Sequence, residues 1–309
     1  MKISIIIPVY NKEEYIEDCV HAILSQDFDS FEVVAVDDGS TDQSGAICDR
    51  LAAEDERVRC FHIPNGGVTA ARRYGLEHSS GQYLMFVDAD DKLIPHAMQT
   101  LYDTIERTHA DEVIGTFCTQ YGEHSPVVYK GFAEPERLIR AIISNKNRFC
   151  VLWGIIFKRE ILEGCLDTPR EIIEGEDKMM QVKVLIKHPK VFFCQDCVYL
   201  YSVGLPNNRR QTVERLQLYD KILYQVLGRW SGDEGKRLEE AFSLHQVKEY
   251  EYLLRAGNLS DARRYKQGML PMKGRLPLYE GLVYRLPPQI ARCLAKLFRF
   301  VILKLQHHV

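Results

Sequence analysis

Apolar and polar positions along the first 120 residues alternate between two rhythms. Short, largely apolar runs at residues 3–9, 31–36 and 83–87, rich in β-branched and aromatic side chains, read as strands buried on both faces, and residues 58–62 read as a further strand. Helical periods fill the gaps between them. Over residues 15–26 the apolar positions Ile16, Cys19, Val20, Ile23 and Leu24 recur on one helical face, and residues 44–55 and 69–79 read as helices too. Short strands alternating with helices predict an α/β fold, a mostly parallel sheet flanked by helices.

Beyond Pro95 the pattern predicts a helix to about Thr108, a strand over 113–121, and a looser stretch at 127–203 with helices near 134–145 and 176–187. Residues 211–256 read as helical throughout. From Gly257 the chain is interrupted by Pro271, Pro277 and Pro287-Pro288, and it ends in a helix over about 289–306. The second half therefore adds a helical C-terminal extension to the α/β part. There is no internal repeat and no low-complexity segment.

Composition narrows the function classes. With 46% hydrophobic and 27% charged residues the chain is an ordinary folded protein. Its formal charge of −3 hides an asymmetry: residues 260–309 carry ten Lys/Arg against Asp261 and Glu280, so the rest of the chain is strongly acidic. That balance excludes general nucleic-acid binding by the body and gives the tail an anionic partner, with a membrane surface the first candidate. The nine cysteines are scattered and odd in number, as expected of reduced cytosolic thiols, and Cys194 and Cys197 have C-x-x-C spacing without a second pair. The opening apolar run is too short for a signal peptide, and no run reaches the ~18 apolar residues of a spanning helix.

In open α/β sheets ligands bind beyond the carboxyl ends of the strands. Three strands here end in polar clusters: Pro8-Val9-Tyr10-Asn11, Asp37-Asp38-Gly39-Ser40-Thr41-Asp42 and Asp88-Ala89-Asp90-Asp91. Asp42 and Asp91 also suit plain turn or capping roles. Asp88 and Asp90 repel each other at the end of a buried strand unless a cation lies beside them. Mg²⁺ or Mn²⁺, which take carboxylate oxygens with substrate phosphates and water, fit such a pair. Neither a G-x-G-x-x-G turn after the first strand nor a G-x-x-x-x-G-K-[ST] loop is present, so phosphate must be neutralised in another way.

In this order, Ile5-Ile6-Ile7-Pro8-Val9-Tyr10-Asn11, Val36 through Asp42, Asn65-Gly66-Gly67-Val68 with Ala71-Arg72, and Phe86 through Asp91 resemble the successive motifs of family 2 glycosyltransferases of the GT-A fold. The resemblance is strong over 1–105 and weaker over 150–203. It implies a nucleotide-sugar-binding half at 1–105 and an acceptor-binding half at 106–205, while the helical pattern alone marks the extension at 206–309. It further implies that Pro8, Val9 and Tyr10 line the nucleobase pocket, with Tyr10 stacking on the base and Asp38 bonding its imide edge. Arg72 and Ala89 would lie against the donor, Asp88 at ribose or metal, and Asp90 on the metal. Trp153 to Glu160 and Gly175-Glu176-Asp177 resemble the acceptor region and acid motif, which makes Asp177 the general base and places Trp153 and Glu176 at the acceptor. Glu176 and Asp177 equally suit the positive start of a helix.

Two departures stand out. Arg73 occupies a position where the family commonly has Asn, and Tyr199 through Gly204 replace a Tyr-Arg-x-His-like stretch, so the polar contacts of that stretch are expected to be missing. Asn207, Arg209 and Arg210 are candidates for a loop over the diphosphate. Residues 225–230 only approximate the Q-x-x-R-W motif of processive relatives.

The implied activity is an inverting, metal-dependent transfer from a nucleoside diphosphate sugar, UDP above all, to a hydroxyl. A saccharide or lipid-linked saccharide in bacterial surface polysaccharide synthesis is the expected acceptor. On the last helix Ile290, Leu294, Leu297, Phe298, Val301 and Leu305 share a face opposite Arg292, Lys296 and Arg299. That pattern suits either the inner membrane surface or packing on the protein's own core. A non-catalytic carbohydrate-binding or scaffold protein of the same fold is the alternative, and a nucleotidyltransferase a weaker one.

Overall fold

The structure is a computed structural model that describes residues 1–125, 129–144, 152–204 and 212–306. For 300–306 it describes the helix and not the side chains. The chain divides into two compact units, one of residues 1–138 and 147–209, the other of 139–146 and 210–309.

In the first unit the elements run β1 (Ile3–Val9), α1 (Ile16–Leu24), β2 (Phe31–Asp37), α2 (Ser44–Glu54), β3 (Val58–His62), α3 (Val68–Glu77), β4 (Tyr83–Phe86), β5 (Lys92–Leu93), α4 (Ala97–Thr108), β6 (Glu112–Thr119) and β7 (Gly131–Ala133). There follow α5 (Pro135–Ile143), whose residues from Ile139 belong to the second unit, then β8 (Ile155–Lys158), α6 (Arg159–Leu162), α7 (Glu176–Leu185) and β9 (Val191–Tyr201). Among the described residues one sheet takes all these strands in the order β3-β2-β1-β4-β8-β6-β9-β5, with β7 on β9. The strands β3, β2, β1 and β4 are parallel. β1, β2 and β4 are buried on both faces, as their apolar runs lead one to expect, whereas β3, at the end of the strand order, carries Arg59 and His62 and buries Val58 alone. The rest is mixed. β8 is antiparallel to β4 and β6, β6 is parallel to β9, and β5 and β7 are antiparallel to β9.

Because β1, β2 and β4 are parallel, their carboxyl ends share one edge, with Val9 level with Asp37. A helix must lie close over that sheet to bring a side chain to the edge. In α3 Gly75 makes this possible, since a Cβ there would fall 2.5 Å from Ile6 Cγ2. The close approach seats Arg72, one turn earlier, at the ends of the strands.

The second unit is helical: α8 (Val213–Leu227), α9 (Gly232–Ala256), α10 (Leu259–Gln267), α11 (Leu278–Arg285) and α12 (Pro288–Gln306). Its core gathers Val213, Leu216, Val247, Tyr250, Leu254, Ala262, Tyr265, Val283 and Ala291. The prolines that interrupt the tail separate two helices, α10 and α11, too short to stand out by periodicity. The buried stripe of α12 differs from the apolar face read on a helical wheel. Ala291 and Ala295 are fully buried, because small side chains let the helix approach its neighbours, whereas Ile290 and Leu297 are 54% and 62% exposed. Phe298 stacks on Tyr279. Val301 and Leu305 fall outside the described side chains. Among the described residues no helix is long and apolar enough to cross a membrane.

Candidate active site

The loops after β1 and β2 are tied to each other. Asn11, at φ 51°, accepts the Thr41 amide on Oδ1 at 2.8 Å and donates its own amide to Ser40 Oγ at 3.1 Å. The Lys12 amide donates to Ser44 Oγ at 2.7 Å. Asp42 plays the turn role expected of it, accepting the Ser44 amide at 3.0 Å. Tyr10 projects from this platform with an exposed ring, and Pro8 is partly exposed. Val9 and Ala89 depart from the expected lining: their side chains are buried in the main core, so only their backbone is at hand for a ligand.

Asp38 is likewise turned inward. Its carboxylate accepts the amides of Gly66 at 2.7 Å and Gly67 at 2.8 Å, and the residue is buried. Gly67 reaches this position at φ 88°, a conformation open to glycine and costly for other residues. Instead of displaying a free acceptor to a base, Asp38 shapes the Asn65-Gly66-Gly67 turn. Arg170, from the segment before α7, donates to Asn65 O at 2.7 Å and Oδ1 at 2.6 Å, clamping the same turn.

The acidic cluster after β4 is held by cations of the chain itself. Arg72 donates through Nη2 to Asp88 Oδ1 at 2.9 Å and through Nη1 to Asp177 Oδ1 at 2.6 Å. Lys12 Nζ pairs with Asp90 Oδ2. Arg72 is only 2% exposed, so it is no solvated helix charge. Both its terminal nitrogens are taken by carboxylates, which places it among the acids of the site and not on an open donor surface. Burial opposes the Arg72 charge, but Asp177, Asp88 and Glu176 together outweigh burial and keep it ionised. Burial raises the Asp88 carboxyl above its ordinary value, with Arg72 opposing and Asp177 and Asp90 adding to the rise.

Asp91 does not cap a helix, since β5 follows it. It is buried and accepts Tyr199 Oη at 2.9 Å and the Ser202 amide at 2.7 Å. Burial pushes its carboxyl up to about 7. Tyr199 Oη also accepts the Asp88 amide at 3.1 Å, and Ser202 Oγ donates to Asp90 O at 2.6 Å. The stretch from Tyr199, expected to lack polar contacts, thus makes its own to the Asp88–Asp91 segment through Tyr199 and Ser202.

Asp177 lies in the first turn of α7, launched by Gly175 at φ 85°, and its carboxylate remains 24% exposed. Glu176, expected at the acceptor, is buried, since the helix turns it away from solvent. Trp153 is also buried. It lies between Tyr199 and Tyr201, stacked at 4.5 Å and 5.1 Å, with Phe117 edge-on. The exposed aromatic surface at this place belongs to Tyr201. Asn207, Arg209 and Arg210 lie outside the described residues.

The donor set suits a hard divalent ion. Asp88 and Asp90 offer oxygen alone, and their side chains are 30% and 18% exposed. Among the described residues no third Asp, Glu, His or Cys joins them in a compact ligand group, leaving the remaining positions to phosphate and water. One oxygen of each carboxylate is already paired with a cation of the chain, which shows how strongly the pair demands positive charge.

Comparisons with known proteins bear on the family and the fold. The family model described as "Glycosyl transferase family 2" matches residues 4–166. Glycosyltransferase GlyG of Streptococcus pneumoniae is 32% identical over 213 residues, 64% of this chain and 70% of GlyG. GlyA of the same organism is 29% identical over 89% of this chain, which spans only 41% of GlyA. Among solved structures, Staphylococcus aureus TarS 1–349 in complex with UDP-GlcNAc superposes with a TM-score of 0.70 at 18% identity, covering 87% of this chain and 79% of that one. TarS is described as a poly(ribitol-phosphate) β-N-acetylglucosaminyltransferase, and this chain spans 35% of its length. At that identity the likeness is one of fold, the GT-A fold, whereas the family match covers more than half of the chain. With four strand-end motifs converging on one sheet edge and the family model running through all of them, this chain belongs to glycosyl transferase family 2.

Proposed function

We propose that the chain catalyses an inverting transfer of a sugar from a UDP-linked donor to a hydroxyl of a surface saccharide or polymer. The observation that carries this reading is the Arg72 bridge, which brings Asp177 and Asp88 onto one guanidinium. A base for the acceptor thus lies beside the acids that would face the diphosphate. Residues 1–105 supply the donor half, 106–205 the acceptor half and 206–309 the helical extension.

In this reading Tyr10 stacks on the nucleobase while Asp38, through Gly66 and Gly67, holds the turn that shapes its pocket. Asp88 and Asp90 would hold Mg²⁺ or Mn²⁺, which when bound supplies Lewis-acid stabilisation to the departing diphosphate. Lys12, already paired with Asp90, adds positive charge at the same place. Arg72 fixes Asp177 by Oδ1, leaving Oδ2 to take the acceptor's proton as its oxygen attacks the anomeric carbon from the face opposite the leaving group. No covalent sugar intermediate is needed. Tyr201, stacked on Trp153, offers the flat apolar surface on which an acceptor sugar ring can lie.

The UDP preference rests on the UDP-GlcNAc complex of the TarS fold relative, and the polymeric acceptor on the name of TarS. The basic tail and the exposed Ile290 and Leu297 of α12 support contact with an anionic membrane surface, where a lipid-linked acceptor would be met. Asp177→Asn tests the catalytic assignment. The variant should bind UDP-sugar as the parent does and lose at least ~100-fold in transfer, the lower end of a general base's contribution. Unchanged turnover would remove Asp177 as base.

A further inference from the structure

A second cluster, apart from Asp88 and Asp90, joins β2, α2 and β3. His62 Nε2 lies 2.9 Å from Asp49 Oδ1 and 3.7 Å from Cys60 Sγ. The ligand atoms of Asp49, Cys60 and His62 all fall within 4.8 Å of one another, the one such group among the described residues. On the far side of the ring, His62 Nδ1 lies 2.9 Å from Asp37 Oδ2. Asp37 is buried, and its Oδ1 accepts the Ser40 amide at 3.0 Å.

We propose that Asp49, Cys60 and His62 form a binding site for a borderline divalent cation of the Zn²⁺ type, with Asp37 as the group that orients His62. One nitrogen, one sulfur and one carboxylate oxygen are the donors zinc takes, and three protein ligands leave a fourth position for water. The sulfur–nitrogen separation of 3.7 Å is close to that of two ligands at ~2.3 Å and ~2.0 Å on a tetrahedral ion. The carboxylate on Nδ1 is the feature that separates a ligand set from a chance surface cluster. Histidines that ligate metals through one nitrogen donate the other ring N–H to a carboxylate or carbonyl, which fixes the tautomer with a lone pair on the ligating atom. Asp37 is held by Ser40 in the place where it does this to His62.

The donor set also separates this site from the one facing the diphosphate. Oxygen-only Asp88 and Asp90 favour Mg²⁺ or Mn²⁺, whereas a thiolate and an imidazole favour the softer ion. The role is bracing. A cation here ties α2 and β3 to the end of β2, and the next residue, Asp38, holds the Gly66-Gly67 turn of the nucleotide pocket.

The test uses the metal-stripped full chain, without donor, titrated with Co²⁺ as a spectroscopic probe and then with Zn²⁺ in competition. One Co²⁺ per chain should bind with a thiolate-to-cobalt charge-transfer band, and one equivalent of Zn²⁺ should displace it. Cys60→Ser should abolish the band, Asp37→Asn should weaken binding by ~10–100-fold, and Asp90→Ala should leave the band in place. Absence of the band, or a band that persists in Cys60→Ser, would overturn the proposal. So would uptake insensitive to Asp37→Asn. In those cases His62 is simply an imidazolium paired with two carboxylates.

Discussion

Replacing Arg72 by Met keeps most of the apolar stem and removes the guanidinium on which Asp88 and Asp177 meet. Two charge-assisted hydrogen bonds, at 2.9 Å and 2.6 Å, are lost. Each such bond contributes about 1.5–3 kcal/mol. The carboxylates are 30% and 24% exposed, so water takes up part of the loss, and the expected destabilisation is ~3 kcal/mol, near the lower limit for breaking a fully buried pair. Because the chain has two compact units, the transition of the first must be followed separately. Trp153 fluorescence during urea unfolding in a Trp230→Phe background does this. In a second background carrying Asp88→Asn and Asp177→Asn, the cost of Arg72→Met should fall below ~1 kcal/mol, since the two carboxylates hydrogen-bonded to it are gone and only the more distant charge of Glu176 remains. A loss under ~1 kcal/mol in the parent, or an equal loss in both backgrounds, would refute the claim that Arg72 is the counter-charge organising the site.

Two further predictions concern pH and the tail. Glu112 is fully buried in β6, and burial pushes its carboxyl up to about 7, while Gln181 of α7 donates to Oε1 at 2.7 Å. Among the described residues Glu112 Oε2 and Gln181 Oε1 have no hydrogen-bond partner, and protonation would give Glu112 a donor to offer. A folded pKa above the unfolded one means that the stability due to the protonated acid is complete below about 4.5 and is lost as pH rises to about 7. Thermal melts of Glu112→Gln should therefore lack that decline between these limits, and a parent-like decline would assign it elsewhere. On α12, Leu297→Glu should lower binding to anionic vesicles several-fold without changing the melting temperature, because Leu297 is 62% exposed; equal sedimentation with vesicles would refute membrane contact by that face.

Strands β1, β2 and β4 are legible because burial on both faces leaves a nearly continuous apolar run, whereas β3, with Arg59 and His62 outside the core, is legible mainly from its place between two helical patterns. Asp88, Asp90 and Asp177 were legible as motifs. Their partners were not. Arg72 is placed against the donor by the family motif and Lys12 draws no notice, since neither motif nor periodicity reports which acid a long side chain meets across 78 or 105 residues. Tyr199 opens the stretch that departs from the family pattern and from which no polar contact is expected, and only the pairing of β5 with β9 brings its hydroxyl to Asp91. Trp153 drew notice as the aromatic of the acceptor region, yet its size led it into the stack beneath Tyr201. β5, two residues long, has no pattern of its own to read.

In the proposed function Asp88 and Asp90 bind a divalent ion together with a nucleoside diphosphate. Calorimetric titration of the full chain with UDP-GlcNAc, in Mn²⁺ and again in excess EDTA, tests it most directly. Saturable binding at one site is predicted in Mn²⁺, weakened at least ~10-fold by chelation and to a similar degree by Asp90→Ala, with UDP competing for the same site. Binding of equal strength with and without the ion, unaltered by Asp90→Ala, would contradict the account.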